Sequence, residues 1–364
     1  MKKHFLVVTM TLGMNYGGIL QAYALKEAIG SISRDVRVDT MSTPLSSVKG
    51  RLARIDLLKR VIYLLKRRPH IHPSVTTRYT KRFIHTYINQ VNYGVARRYI
   101  DNGVYRGVIV GSDQVWRSKY VSVTKNLLDF IRHEEPVRVS YAASFGRDDL
   151  DEYRNKLIAK TKKLAQRFDA ISVREDSGVG VARKYWGVDA EHHVDPTLLI
   201  DADEYMALVE GDDLPLHDSD GEIFAYVLDT VKEKQDVIDV VAKARTLKAF
   251  TVIDGDENGG RPMPPVTQWI KSFMDAKYVV TDSFHGTVFS IIFNKPFIAI
   301  GNKERGLARF TSLLKMFGLE DRLVTSADEV TEELIHKPID WDAVNAKIKA
   351  EQKRSFDYLK KHLG

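Results

Sequence analysis

The chain predicts an α/β fold made of two parallel-sheet units, and three observations carry that reading. Short apolar runs recur through the sequence, among them His4–Thr9, Tyr105–Val110, Val137–Tyr141 and Ala170–Val173, then Ile223–Leu228, Ala249–Ile253, Tyr278–Val280 and Phe297–Ile300. Several end in a small polar loop and are followed by a helix-period segment, and strands alternating with helices imply parallel sheets covered on both faces. A length of 364 residues exceeds what one core readily fills, so two domains are expected. An acidic, turn-rich stretch over 211–221 precedes the second series of strands. The expected units are residues 1–200 and 201–341, followed by a single basic helix over 342–364.

Composition sets the limits. Hydrophobic content of 44% and charged content of 28% are those of a water-exposed globular protein. No apolar run reaches the roughly 18 residues that a membrane-crossing helix needs. The apolar stretch after Met1 is too short for a leader and reads as a first strand. The absence of cysteine excludes disulfides and thiolate chemistry and fits a cytoplasmic protein.

Charge is unevenly spread. Residues 51–100 hold twelve Lys or Arg against the single acid Asp56, so this window carries +11 in a chain of net charge +7. Within it, Leu52, Ile55, Leu58, Ile62 and Leu65 fall at helical spacing, with Arg51, Arg54, Lys59, Arg60, Lys66 and Arg67 on the other side. A basic amphipathic helix over 51–68 suits an anionic membrane surface, and it equally suits packing on its own domain with a solvated face. No aromatic interleaving or binding motif speaks for nucleic acid.

Taken in order, the strand ends supply the candidate site. After the first strand, Asn15-Tyr16-Gly17-Gly18 opens a helix. Paired glycines let backbone N–H groups approach a ligand, and a capping asparagine with a tight turn explains the same residues. After 105–110 comes Gly111-Ser-Asp-Gln-Val-Trp116. Asp113 and Gln114 suit hydrogen bonds to sugar hydroxyls and Trp116 suits stacking on a sugar face; capping of a following helix and core packing are the alternatives. Asp149–Gln166 reads as a charged helix. Arg174 ends the strand 170–173, where it meets a ligand or pairs with Glu175 or Asp176. Asp195 before Pro196 shapes a turn. Thr281-Asp-Ser-Phe-His-Gly-Thr287 places Ser283 and His285 at a helix N-terminus beyond a strand, where an anion is met and a proton moved. Lys303, Arg305 and Arg309 flank Gly306 after the next strand, and guanidinium forks there suit phosphate or carboxylate, unless the loop is simply solvated. His192-His193 and Asp254-Gly-Asp256 lack the partners of a metal site. Ser283 and His285 are too close in sequence, and lack the elbow motif, for a serine hydrolase.

Six segments together resemble the polysaccharide pyruvyl transferase family: Asn15–Leu25, Val110–Trp116, Ser140–Gly146, Ile171–Ser177, Val194–Leu199, and Thr281–Ser290 with the arginine loop behind it. The resemblance implies a GT-B-like pair of Rossmann-like domains facing a cleft, with the last helix returning to the first domain. It implies transfer of pyruvate from phosphoenolpyruvate to two hydroxyls of a sugar as a ketal, without metal or other cofactor, in the synthesis of a capsular, exopolysaccharide or other surface glycan. In it His285 is the proton donor. Arg174, Ser283, His285, Lys303, Arg305 and Arg309 form the donor site, with Arg174 also catalytic. Asn15, Tyr16, Gly17, Gly18, Asp113, Gln114 and Trp116 face the acceptor. One departure stands out: Ser283 occupies a position where relatives carry an arginine, so Arg305 or Arg309 must supply that charge. The acceptor is a sugar, free or lipid-linked, and the expected place is the cytoplasm or the inner membrane face. A nucleotide-sugar glycosyltransferase of the same architecture and a non-catalytic carbohydrate-binding relative are the alternatives.

Overall fold

Buried β-branched runs form the central strands, as expected where helices cover both faces of a parallel sheet. The computed structural model describes residues 3–33, 35–43, 76–229, 231–252, 262–301 and 306–364. Segment 51–68, Asp254–Asp256, Lys303 and Arg305 lie outside the described residues. The chain divides into two compact units: Met1–Pro196 with Ile253–Met263 and Arg354–Gly364, and Thr197–Val252 with Pro264–Lys353.

The first unit opens with β1 (Lys3–Thr9), α1 (Tyr16–Ser31) and β2 (Val36–Ser42), then α2 (Arg78–Tyr87), α3 (Tyr93–Asp101), β3 (Gly107–Val110) and β4 (Val137–Ser140). The strands pair in parallel in the order β2-β1-β3-β4. Helix α1 is buried from Tyr16 to Leu25, so it is apolar nearly all round rather than striped. Asn15 caps it, accepting from the Gly18 N–H at 3.1 Å. Such a cap stabilises a helix by about 1 kcal/mol.

The connection from β3 to β4 contains turns and no helix among the described residues, so Ser112 and Asp113 cap nothing. Its apolar residues Val115, Trp116, Leu127 and Phe130 sink into the core instead. The helix expected from Asp149 begins later, as α4 (Asn155–Ala165). Asp149 is held in a turn, accepting from Arg147 Nε at 3.1 Å and the Asp151 N–H at 3.1 Å. A two-residue pair of strands, β5 (Ser172–Val173) and β6 (Glu191–His192), flanks α5 (Asp176–Val181). Isolated parallel bridges, Val139 to Ala170 and Ala143 to Val173, tie this pair to β4 and the loop beyond it.

The second unit holds α6 (Ala202–Glu210), β7 (Ile223–Tyr226), α7 (Lys232–Arg245), β8 (Ala249–Phe250), α8 (Val266–Asp275) and β9 (Tyr278–Thr281). Then come α9 (Phe284–Ile292), β10 (Phe297–Ile300), α10 (Ala308–Phe317), β11 (Leu323–Val324) and α11 (Glu332–His336). Its sheet is fully parallel in the order β11-β10-β9-β7-β8. The last helix, α12 (Trp341–Leu363), belongs to the second unit up to Lys353 and to the first from Arg354. No described helix is long and apolar enough to cross a membrane.

Candidate active site

Each unit gathers polar side chains at the carboxyl ends of its strands, where ligands meet open α/β sheets.

In the first unit a buried chain of hydrogen bonds links four strand ends. Gln21 on α1 donates from Nε2 to Thr9 Oγ1 at 2.9 Å, and its Oε1 accepts from the Ser112 N–H at 2.8 Å. Ser112 Oγ donates to the Ala142 carbonyl at 2.7 Å. Arg174 lies at the end of β5, and its side chain is 1% exposed. It donates from Nη1 to Asp195 Oδ2 at 2.6 Å and from Nη2 to Asp113 Oδ1 at 3.1 Å. Burial opposes its charge, but the carboxylates of Asp195, Asp113 and Glu175 outweigh that, and its pKa rises above the usual guanidinium value. Glu175 turns the other way: its Oε1 accepts from the N–H groups of Phe145 (2.7 Å) and Gly146 (3.0 Å) and from Ser144 Oγ (3.1 Å). The loop approaches this closely because Gly111 and Gly146 lack side chains. A Cβ on Gly111 would lie 2.1 Å from the Tyr141 carbonyl oxygen, and one on Gly146 would lie 2.2 Å from Gln114 Oε1.

These placements revise several expectations. Arg174 donates to Asp195 and Asp113, partners that the sequence reading, which offered Glu175 or Asp176, did not include. Two carboxylates neutralise the charge on which its donor-binding assignment rests. Trp116 is fully buried against Phe145 and Trp186, its indole N–H donating to the Asn126 carbonyl at 3.2 Å, so it offers no face to a sugar. Tyr16 is likewise fully buried, and Gly17 and Gly18 are buried in the first turn of α1 rather than lining an open loop; of this quartet only Asn15 is exposed. Gln114 is partly buried, with Oε1 accepting from Arg117 Nη1 at 3.1 Å. Asp113 holds a left-handed backbone (φ 68°) beside Arg174.

In the second unit Ser283 caps α9, accepting from the Gly286 N–H at 3.3 Å. Residues Phe284 to Ile291 are all buried, so this short helix is a core element with its N-terminus at the strand ends. Gly286 permits the contact, because a Cβ there would lie 2.2 Å from Thr281 Oγ1. That hydroxyl donates to the Tyr226 carbonyl at 2.6 Å and accepts from the Ser283 N–H at 3.1 Å, joining β9 to β7. His285 is 5% exposed, with its ring edge-on to Phe284 at 5.3 Å. The Arg309 guanidinium lies over the same phenyl ring, 5.5 Å from its centre. His285 and Arg309 thus both border the Phe284 ring.

Sequence reading missed what holds this loop. Asp282 is 2% exposed and accepts from the Leu228 N–H at 2.7 Å and from Lys234 Nζ at 2.5 Å. Lys234, in the first turn of α7, also reaches Asp229 at 3.3 Å. An aspartate directly before Ser283 was visible in the sequence, but its lysine, 48 positions away, carried no signal. No group of three or more metal-binding side chains occurs among the described residues.

Comparison with known proteins now adds to the geometry. The family model described as "Polysaccharide pyruvyl transferase" matches residues 15–304. No curated protein matches the chain. Among solved structures, the chain is similar to a UDP co-structure of Staphylococcus aureus MnaA, at TM-score 0.50 and 11% identity, over 96% of this chain and 91% of that one. It is also similar to UDP-N-acetylglucosamine 2-epimerase from Rickettsia bellii, at TM-score 0.48 and 12% identity, over 98% of each chain. A third is an O-GlcNAc transferase mutant from Thermobaculum terrenum, at TM-score 0.45 and 11% identity; all of this chain aligns there, spanning 66% of that one's length. At such identities the first likeness shows fold alone, α/β and GT-B-like.

Proposed function

We propose that this chain, which belongs to the polysaccharide pyruvyl transferase family, takes its pyruvyl group from phosphoenolpyruvate and sets it as a cyclic ketal on two hydroxyls of a sugar in surface-polysaccharide synthesis. The family supplies the enzyme class and a sugar or polysaccharide acceptor. The single observation that supports the donor and the chemistry is His285 at the capped N-terminus of α9, with the Arg309 guanidinium over the adjoining Phe284 ring.

Phosphoenolpyruvate has a nucleophilic C3 and an electrophile latent at C2. In this reading His285 delivers a proton to C3, making the methyl group. A sugar hydroxyl adds to C2 and gives up its proton. The C2–O bond to phosphate breaks, phosphate leaves, and the neighbouring hydroxyl closes the ketal. Arg309, with Lys303 and Arg305 in the same stretch of sequence, supplies positive charge for the phosphate and carboxylate. Arg309 is our candidate for the charge that Ser283 does not bring. Arg174 acts at one remove: bound by Asp113 and Asp195, it positions the Asp113 loop that we assign to the acceptor. The scheme uses phosphoenolpyruvate as a substrate and calls for no cofactor.

The test is direct. The protein is incubated with phosphoenolpyruvate and a panel of hexose acceptors, free and lipid-linked, and the products are weighed by mass spectrometry while phosphate is assayed. A pyruvate-sized gain in step with phosphate release is expected, unchanged by added Mg²⁺. Binding of a UDP-sugar with no binding of phosphoenolpyruvate would move the chain to nucleotide-sugar chemistry.

A further inference from the structure

At the amino ends of β4 and β5, the sheet end opposite to Gly111 and Arg174, the first unit carries a cavity of about 680 Å³. Arg132, Arg138 and Arg167 line it, with His133 beside them. Arg138 is 5% exposed. Its Nη1 donates to the Arg167 carbonyl at 3.3 Å and its Nη2 to the His133 carbonyl, while its buried Nε has no hydrogen-bond partner among the described residues. Arg167 donates from Nη2 to the Ile131 carbonyl at 2.6 Å. These partners are neutral carbonyls, so the bonds hold the guanidinium groups without neutralising them. Burial and the nearby Arg167 charge both pull the Arg138 pKa below its usual value.

Asp169 and Glu134 offset part of this charge through space, without pairing with it. Asp129 pairs with Lys125 at 2.8 Å and lies 3.8 Å from Lys160. Asp169 accepts from the Arg138 backbone N–H at 2.8 Å. Neither they nor Glu134 form an ion pair with the three arginines among the described residues.

We propose that this cavity is a second binding site, separate from the candidate active site, for a phosphorylated sugar: the arginines take the phosphate, and Glu134 and Asp169 accept from sugar hydroxyls. Guanidinium forks match a phosphate bidentately, and a dianion relieves the repulsion between neighbouring arginines. The volume falls within the range of small-molecule sites and exceeds the needs of inorganic phosphate. The lining favours a sugar over a nucleotide, since it contains no Phe, Tyr or Trp on which a base would stack and Ile131 is its one aliphatic member.

Calorimetry with the full chain tests this, using glucose 6-phosphate, inorganic phosphate and glucose as probes. Glucose 6-phosphate binds, inorganic phosphate binds more weakly, and glucose gives no heat. Arg132→Gln with Arg167→Gln lowers glucose 6-phosphate affinity at least about tenfold, the scale of lost charged hydrogen bonds. Arg132→Gln alone, on an exposed side chain, lowers it less and keeps the test open if the double variant does not fold. His285→Ala with Arg309→Gln leaves this binding unchanged, which separates the cavity from the donor site. The proposal fails if the wild type gives no heat with glucose 6-phosphate or binds inorganic phosphate as tightly. It fails equally if the His285 and Arg309 changes abolish binding while the cavity changes do not.

Discussion

His285 and Arg174 illustrate how residue chemistry and residue placement divide the work of inference. A histidine after a strand and before a helix has its meaning in the sequence, because histidine is the most common general acid of enzyme sites. His285→Ala should lower turnover on the order of 10²-fold or more while the melting temperature stays within a few degrees; a variant near the wild-type rate removes it from the chemistry. Arg174 looked equally exposed to a ligand, yet what surrounds it comes from Asp113 and Asp195, 61 and 21 positions away. Sequence spacing offers no way to find such partners, so the nearer Glu175 and Asp176 stood in for them. Removing one member of a buried ion pair strands the others, at about 3–5 kcal/mol. Arg174→Ala should therefore lose about that much stability in urea unfolding, and Asp113→Asn less, since Asp195 still answers the arginine. If Arg174→Ala instead unfolds like wild type but binds phosphoenolpyruvate poorly, the arginine faces the donor after all. Trp116 teaches the same lesson: a tryptophan past a strand end suits stacking or core, and only its neighbours Phe145 and Trp186 decide for core.

At the scale of elements, the long central strands were legible because their apolar β-branched runs are buried on both faces; β1, β3, β4, β7, β9 and β10 all overlap the segments read from sequence. The two-residue strand β5 falls within the segment 170–173 read from sequence, whereas β6, which was not read, is set by its pairing with β5. The start of α4 was misplaced because charge pattern continues through Arg147 and Asp149, whose side chains fold back on a turn. Around β5 and β6 the His192-His193 pair acquires a meaning the sequence did not show. His193 is buried, with Nδ1 2.9 Å from Ser172 Oγ and its ring 4.7 Å from that of Tyr358 on α12. Burial first, then the charges of Arg354, His192 and His362, pushes its pKa down to about 3. The unfolded imidazole takes up its proton near 6.5, so between these values the unfolded state holds more protons than the folded one. The stability contributed by neutral His193 is complete above the upper value and is lost as pH falls through the window. From pH 6.5 to 5 the loss amounts to about 2 kcal/mol. His193→Gln keeps a polar partner for Ser172 without the titration, so its unfolding free energy should vary less over that interval than the wild type's. Parallel pH profiles for the two proteins would show that His193 does not drive the acid sensitivity.

On the scale of the whole molecule, the chain's net charge of +7 arises from the excess of basic residues over 51–100, and such a window suits an anionic partner. We propose that the reaction runs in the cytoplasm; a lipid-linked acceptor would then lie at the inner membrane face, where a surface-held enzyme would find it. The sequence of 51–68 supplies both required parts: an apolar series from Leu52 to Leu65, and cations at Arg51, Arg54, Lys59, Arg60, Lys66 and Arg67. Each cation near an anionic surface contributes roughly 1 kcal/mol, enough in sum for reversible attachment. Sedimentation with vesicles containing anionic lipid should therefore carry the protein down at low salt. At about 0.5 M salt the Debye length falls well under 10 Å and the protein should stay in the supernatant. Replacing Arg60, Lys66, Arg67 and Arg68 by glutamine should abolish sedimentation and spare turnover on a short soluble acceptor, because none of the four belongs to the proposed donor or acceptor sites. A wild-type protein that ignores such vesicles at low salt would make the basic face an ordinary solvated surface. Its acceptor would then have to reach the enzyme by diffusion.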